Sequence, residues 1–198
     1  VKLGFPFLNR AKAEIGFAYG RLNDYYFQTS NMTFPNATTD HSRYDLFAGS
    51  LSIERNSLDY KQYPISGRKQ FLVAQYVTGT EKYMPSPITD MGSFDRKVHS
   101  WLQMKGEWEQ YKTISPYFNL GFMSELVLSS KNLMNNYTAS VLQAPAFTPT
   151  PHSQIVFNEA FRANQYVAFG LSPILKFSKL LHFRLDMYGF APLYEIKK

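Results

Sequence analysis

The sequence predicts an all-β protein, an antiparallel transmembrane β-barrel or a part of one, with about eight strands among its 198 residues. Three observations carry this expectation. Apolar residues recur at every second position, which is the period of a strand. Most of the alternating segments exceed the ~5–6 residues of an ordinary globular strand and reach the ~9–11 that cross a bilayer at a tilt. The connections alternate short and long without exception, as tight periplasmic turns and long extracellular loops do.

The expected strands lie at roughly 1–8, 12–27, 44–62, 70–83, 98–112, 117–129, 166–177 and 180–194. In the second, Ala13, Ile15, Phe17 and Tyr19 oppose Lys12, Glu14, Gly16 and Ala18. The third and fourth alternate less cleanly. In the fifth, Leu102, Met104 and Trp108 alternate with Gln103, Lys105, Glu107 and Glu109. In the sixth, Phe118, Leu120, Phe122, Leu126 and Leu128 alternate with Asn119, Gly121, Met123 and Glu125. The seventh turns Val167, Phe169 and Leu171 away from Ala168, Gly170 and Ser172. The last is the clearest: Leu181, Phe183, Leu185 and Met187 are separated by His182, Arg184 and Asp186. The connections run short (Asn9 to Ala11), long (28–43), short (63–69), long (84–97), short (113–116), very long (130–165) and short (Ser178-Lys179). The long ones are rich in Asn, Thr, Pro and Ser, as solvated loops are.

A barrel wall gives this alternation a physical cause. A basic group on the lipid face costs ~2–4 kcal/mol at the bilayer midplane. The mixed charges of Lys12, Glu14, Lys105, Glu107, Glu109, Glu125, Arg184 and Asp186 would therefore face a wet lumen and pair there. Tyr25, Tyr26, Tyr83, Trp101, Tyr111, Tyr117 and Tyr194 lie near strand ends, where aromatic residues form interfacial girdles. Alternation alone is equally compatible with a soluble β-sandwich whose apolar rows form a core.

Composition excludes other classes. The chain is 44% hydrophobic and 17% aromatic, too apolar for a disordered segment. It has no cysteine, hence no disulfide framework, thiolate zinc site or cysteine nucleophile; this is compatible with an oxidising compartment. No apolar run is long enough for a transmembrane helix. The chain begins at Val1 without a signal sequence, as expected for a processed protein or a piece of a longer one. Lys+Arg (21) exceed Asp+Glu (15), but no basic run exceeds two residues, so no nucleic-acid patch is expected. No G-x-S-x-G elbow, phosphate-binding glycine loop or H-E-x-x-H occurs, and His41, His99, His152 and His182 lack ligand spacing. Glu107 and Glu109 could pair as acid and base, but solvated lumen carboxylates beside Lys105 explain them more simply. No catalytic residue, cofactor or metal is expected in this chain. Three N-x-[ST] sequons, at Asn31, Asn36 and Asn136, read as loop composition.

The 130–165 connection combines a Pro-rich run, Ala144 to Pro151, with an apolar stretch, Ile155-Val156-Phe157, and the segment Phe161-Arg162-Ala163-Asn164. Loops this long are usually functional, and the aromatic content argues against free solvation. Its second half is expected to fold into the lumen. Arg162 would then need a carboxylate on the inner wall, with Asp186 and Glu125 as candidates.

The segments NSLDYKQYPISGRKQFLVAQY, FNEAFRANQYVAFGLSPI and FRLDMYGFAPLY resemble the C-terminal outer-membrane barrel of Bacteroidetes patatin-like phospholipase proteins. That barrel is related to the BamA/TamA surface-antigen barrels. The resemblance covers nearly the whole chain. It implies a sixteen-stranded barrel, of which about half would be present, and a patatin domain with a serine–aspartate dyad preceding Val1. It also implies a lumen loop whose V-R-G-F/Y arginine meets an acidic wall residue. Arg162 would take the arginine's place and Asp186 the acid's. Ala163 replaces the motif's glycine, and the family's F-x-D-x-G spacing is not matched.

The expected function is thus that of a bacterial outer-membrane barrel anchoring, or exporting, an N-terminal lipid hydrolase absent from this chain. Its partners would be outer-membrane lipids and other outer-membrane proteins. A BamA-type assembly or translocation factor, a small self-contained barrel acting as adhesin or pore, and a soluble ligand-binding β-domain remain the alternatives.

Overall fold

The computed structural model describes residues 1–27, 39–86, 95–178, 181–194 and 196. The fold is one antiparallel sheet: β1 (Lys2–Leu8), β2 (Ala11–Tyr26), β3 (Asp40–Asn56), β4 (Gly67–Met84), β5 (Asp95–Ser115), β6 (Phe118–Ser129), β7 (Gln165–Lys176), β8 (His182–Arg184) and β9 (Met187–Tyr194). Each strand pairs with the next in sequence as far as β8, and β9 also pairs with β7. β4 and β5, at 18 and 21 residues, outrun the expected 70–83 and 98–112, whereas β3, at 17 residues, starts earlier than expected and ends at Asn56, leaving 57–62, expected as strand, in the turn that follows. Among the described residues β1 and β9 each have a single neighbour, so the sheet is open.

The expected eighth strand appears as two, β8 and β9, in one continuous register against β7. Pro173 explains the gap. The Leu185 amide donates to the Pro173 carbonyl at 3.1 Å, but proline has no N–H with which to return the bond.

The turns have local causes. Pro116 starts the β5–β6 turn, its φ preset for that position. In the 57–66 connection Asp59 Oδ1 accepts from the amides of Tyr60, Ile65 and Ser66. Gly67 ends it at φ 103, where a Cβ would lie 2.2 Å from the Ser57 carbonyl oxygen.

The sheet has two unlike faces. One carries Phe17, Phe47, Leu51, Leu72, Leu102, Leu126, Phe169 and Phe183, all exposed. The other carries the ion pairs of Lys12, Lys69, Lys105 and Arg184 together with buried aromatic residues such as Tyr44 and Trp101, and is covered in part by the 130–164 connection. We call these faces outward and inward. The connection holds one helix, α1 (Tyr137–Leu142), capped by Asn136 Oδ1 accepting from the Ala139 amide at 2.8 Å, and two single 3-10 turns at His152–Gln154 and Glu159–Phe161. Gln143 donates to Asp24 on β2, while Phe147, four residues on, packs against Tyr188 and Phe190 on β9. A flat sheet would hold those two strands about 29 Å apart; the sheet curls around the connection.

Parity corrects the expected aromatic girdle. Tyr25, Tyr117 and Tyr194 are exposed, but Tyr26, Trp101 and Tyr111 are buried on the inward face, and Tyr83 donates inward to Asp40 Oδ2 at 2.8 Å. Trp101 adjoins outward Leu102, so a two-residue period alone sends it inward.

Candidate functional site

The candidate site is the inward face with the two segments folded over it. Near the long-connection end, Met134, Ala139 and Leu142 pack on Tyr26, Tyr44, Val77 and Trp101. This is why β4 alternates poorly: Val77 is an inward apolar residue with an apolar cover. A second cluster joins Phe147 and Ala163 to Val127, Tyr166 and Ala168. The first half of the connection, expected only as loop, is therefore docked as firmly as the second. Ile155, Val156 and Phe157 remain exposed.

A buried polar node ties the connection to the wall. Glu81, fully buried, accepts from Tyr44 Oη, lies 2.8 Å from His99 Nε2, and accepts from the Asn135 amide at 3.1 Å. Beside it Lys131 donates to the Gln143 carbonyl at 2.6 Å and sits 4.8 Å from the Trp101 ring centroid. Burial pulls its pKa down to about 8, against a partial counter-effect of Glu81. The Tyr137 hydroxyl donates to Glu159, whose carboxylate pushes it up to about 12. Glu81 and His99 were not legible as a pair, because register across β4 and β5 decides that they meet. Asn136 donates its side-chain amide to Tyr26 Oη at 2.8 Å, so this sequon serves as a helix cap. The sequons at Asn31 and Asn36 lie outside the described residues.

Toward the short-turn end the inward charges form a ladder. Lys69 meets Glu107 at 2.8 Å and Glu109 at 3.6 Å; Lys105 meets Glu107 at 2.9 Å and Glu125 at 3.2 Å. Lys12 bridges Glu14 and Glu54 at 3.1 and 3.2 Å. Glu107 and Glu109, the pair considered as acid and base, are held by lysines. Lys69, Lys105, Glu107, Glu109 and Glu125 line a cavity of about 500 Å³ together with Thr148 to Pro151 and Gln154 of the connection. Below it the 57–66 turn folds inward as a strap. Its Pro64 carbonyl accepts from Arg184 Nη1 at 2.8 Å and its Ile65 carbonyl from Asn119 Nδ2 at 2.7 Å.

The expected contacts of Arg162 with Asp186 or Glu125 are not formed. Arg162 Nη1 donates to the carbonyls of Leu142 and Ala144 at 2.9 and 3.0 Å, and its guanidinium lies 4.7 Å from the Phe157 ring centroid. Asp186 is taken by Arg184 Nε at 2.7 Å and by the Ser172 hydroxyl, and Glu125 by Lys105 and the Tyr166 hydroxyl. Both carboxylates already have partners on their own wall. The arginine instead braces the connection against itself, and burial without a counter-charge lowers its pKa.

Neither a family model, nor a curated protein, nor a solved structure matches the chain.

Proposed function

We propose that this chain is membrane-crossing wall of an outer-membrane β-barrel, with 130–165 as its lumen plug. On the resemblance of its sequence, it would anchor or export a patatin-like lipid hydrolase domain that lies outside these residues. One observation carries the barrel reading: the outward rows are apolar and exposed along strands long enough to span a bilayer, while the ion pairs of Lys69, Lys105 and Arg184 lie inward. A soluble sheet would bury the first set and expose the second. Additional strands beyond β1 and β9 would close the sheet, since an exposed edge does not persist in hydrocarbon.

The absence of native cysteine permits a direct test. Single cysteines replacing Phe17, Phe47, Leu102 or Phe169 should resist a water-soluble maleimide in phosphatidylcholine vesicles and be reached by a lipid-borne quencher. Cysteines replacing inward Gln75 or Gln103 should show the reverse. Aqueous labelling of the outward set would overturn the reading. The hydrolase assignment is tested separately, by whether the full-length coding sequence places a G-x-S-x-G domain upstream.

A further inference from the structure

The outward face is not apolar throughout. At the long-connection end, register places Arg43 of β3 directly opposite Lys82 of β4, and Lys82 directly opposite Arg96 of β5. Directly opposed like charges on one face of a sheet repel. Arg21 of β2 lies next to this row, diagonal to Arg43. Among the described residues the outward carboxylate here is Asp45, which meets Arg21 at 2.6 Å and Arg43 at 3.6 Å. Lys82 and Arg96 are exposed and form no ion pair among the described residues. Arg43 Nε, the atom that faces Asp45, is buried without a hydrogen-bond partner among the described residues. One step further along, the Tyr25 and His41 rings stack at 4.3 Å, with Tyr25 exposed. In the opposite direction the same faces become the apolar rows of Phe47, Tyr76 and Leu102.

We infer that Arg43, Lys82 and Arg96 form a binding row for the phosphates of an anionic glycolipid headgroup whose acyl chains lie on the apolar rows beside it. The chemistry is specific in three respects. Three cations at cross-strand spacing match more than one phosphate, and arginine offers bidentate donors. The row sits where strands leave the apolar belt, at headgroup level. Exposed Tyr25, stacked on half-buried His41 next to the row, offers a stacking face for a sugar ring. This inference rests on the barrel reading, because it requires the outward face to meet lipid.

The test is native mass spectrometry of the full-length protein, with the strands that close the barrel, in non-ionic micelles, titrated with bisphosphorylated lipid A and with its phosphate-free analogue. The expected result is at least about tenfold tighter binding of the phosphorylated form. The Lys82→Gln/Arg96→Gln variant should lose that preference, and Lys112→Gln, at the opposite end of β5, should keep it. Both replaced residues of the double variant are exposed, so folding is preserved. Inorganic phosphate at millimolar concentration should not displace the lipid; full displacement would assign the row to free phosphate and overturn the headgroup. Equal binding of both lipids, or an unchanged preference in the double variant, would also overturn it. Insertion into phosphatidylcholine vesicles reports on the barrel reading alone. A chain that inserts without a phosphate preference therefore refutes only this inference.

Discussion

Arg184 donates from Nη1 to the main-chain carbonyl of Pro64 at 2.8 Å, joining residues 120 positions apart across the inward face. The same guanidinium bonds Asp186 at 2.7 Å and the Tyr111 hydroxyl at 3.1 Å, and lies 5.6 Å from the Tyr63 ring centroid. One side chain thus fastens the strap beneath the polar cavity to strands β5 and β8.

Replacing Arg184 with Ala should release that strap. The side chain is largely buried, and removing one partner of a buried pair costs about 3 kcal/mol. Trypsin should then cut after Lys61, which is already exposed but held in the turn. Unchanged resistance at Lys61 would show that the Asp59 and Asn119 bonds hold the turn without the arginine.

Lys131 makes the docking of the connection depend on pH. Its pKa is about 8 in the folded chain against an ordinary 10.5. Between those values the unfolded chain holds more protons, so stability rises with pH through this window. Below pH 8 the full penalty of a buried ammonium is present; above 10.5 it has gone. The wild type should gain about 2–3 kcal/mol relative to Lys131→Met between pH 7.5 and 10.5. Urea unfolding of the two proteins in matched micelles measures this, and a constant difference would refute it.

Lys105 stands between Glu107 and Glu125, and Glu125 is buried. Lys105→Met should cost about 2 kcal/mol by leaving Glu125 without a cation. Adding Glu125→Gln should recover part of the loss, because the unpaired charge is then gone. A double-mutant cycle with no coupling would mean that the tyrosine bond from Tyr166 alone satisfies Glu125.

Phe47 lies mid-strand on the outward face of β3 and is 58% exposed. Phe47→Arg should reduce stability in bilayers by about 2–4 kcal/mol, while Gln75→Arg on the inward face of β4 should cost far less. Equal effects of the two substitutions in vesicles would contradict a lipid-facing outward row.

The strands and their two faces were legible from local pattern. The alternation of Leu102, Met104 and Trp108 with Gln103, Lys105 and Glu107 is a property of the extended backbone, which sends neighbours to opposite sides whatever lies beyond. That same rule sends Trp101 and Tyr111 inward, against their expected place in a girdle.

Partner choice was not legible, because it depends on groups distant in sequence. In the sequence, Arg162 is an arginine in search of a partner, and Asp186 and Glu125 are inner-wall carboxylates in search of a cation. Only the packed chain decides that Arg184 and Lys105 reach those carboxylates first and that Arg162 turns to the carbonyls of Leu142 and Ala144. The Glu81–His99 pair and the cationic row of Arg43, Lys82 and Arg96 likewise require the cross-strand register. By itself, the amino-acid order determined the succession of strands, though not their ends, and which side chains share a face, since both follow from nearest-neighbour geometry. The tertiary structure alone decided which charges meet, since that depends on how distant strands align and where the long connection settles.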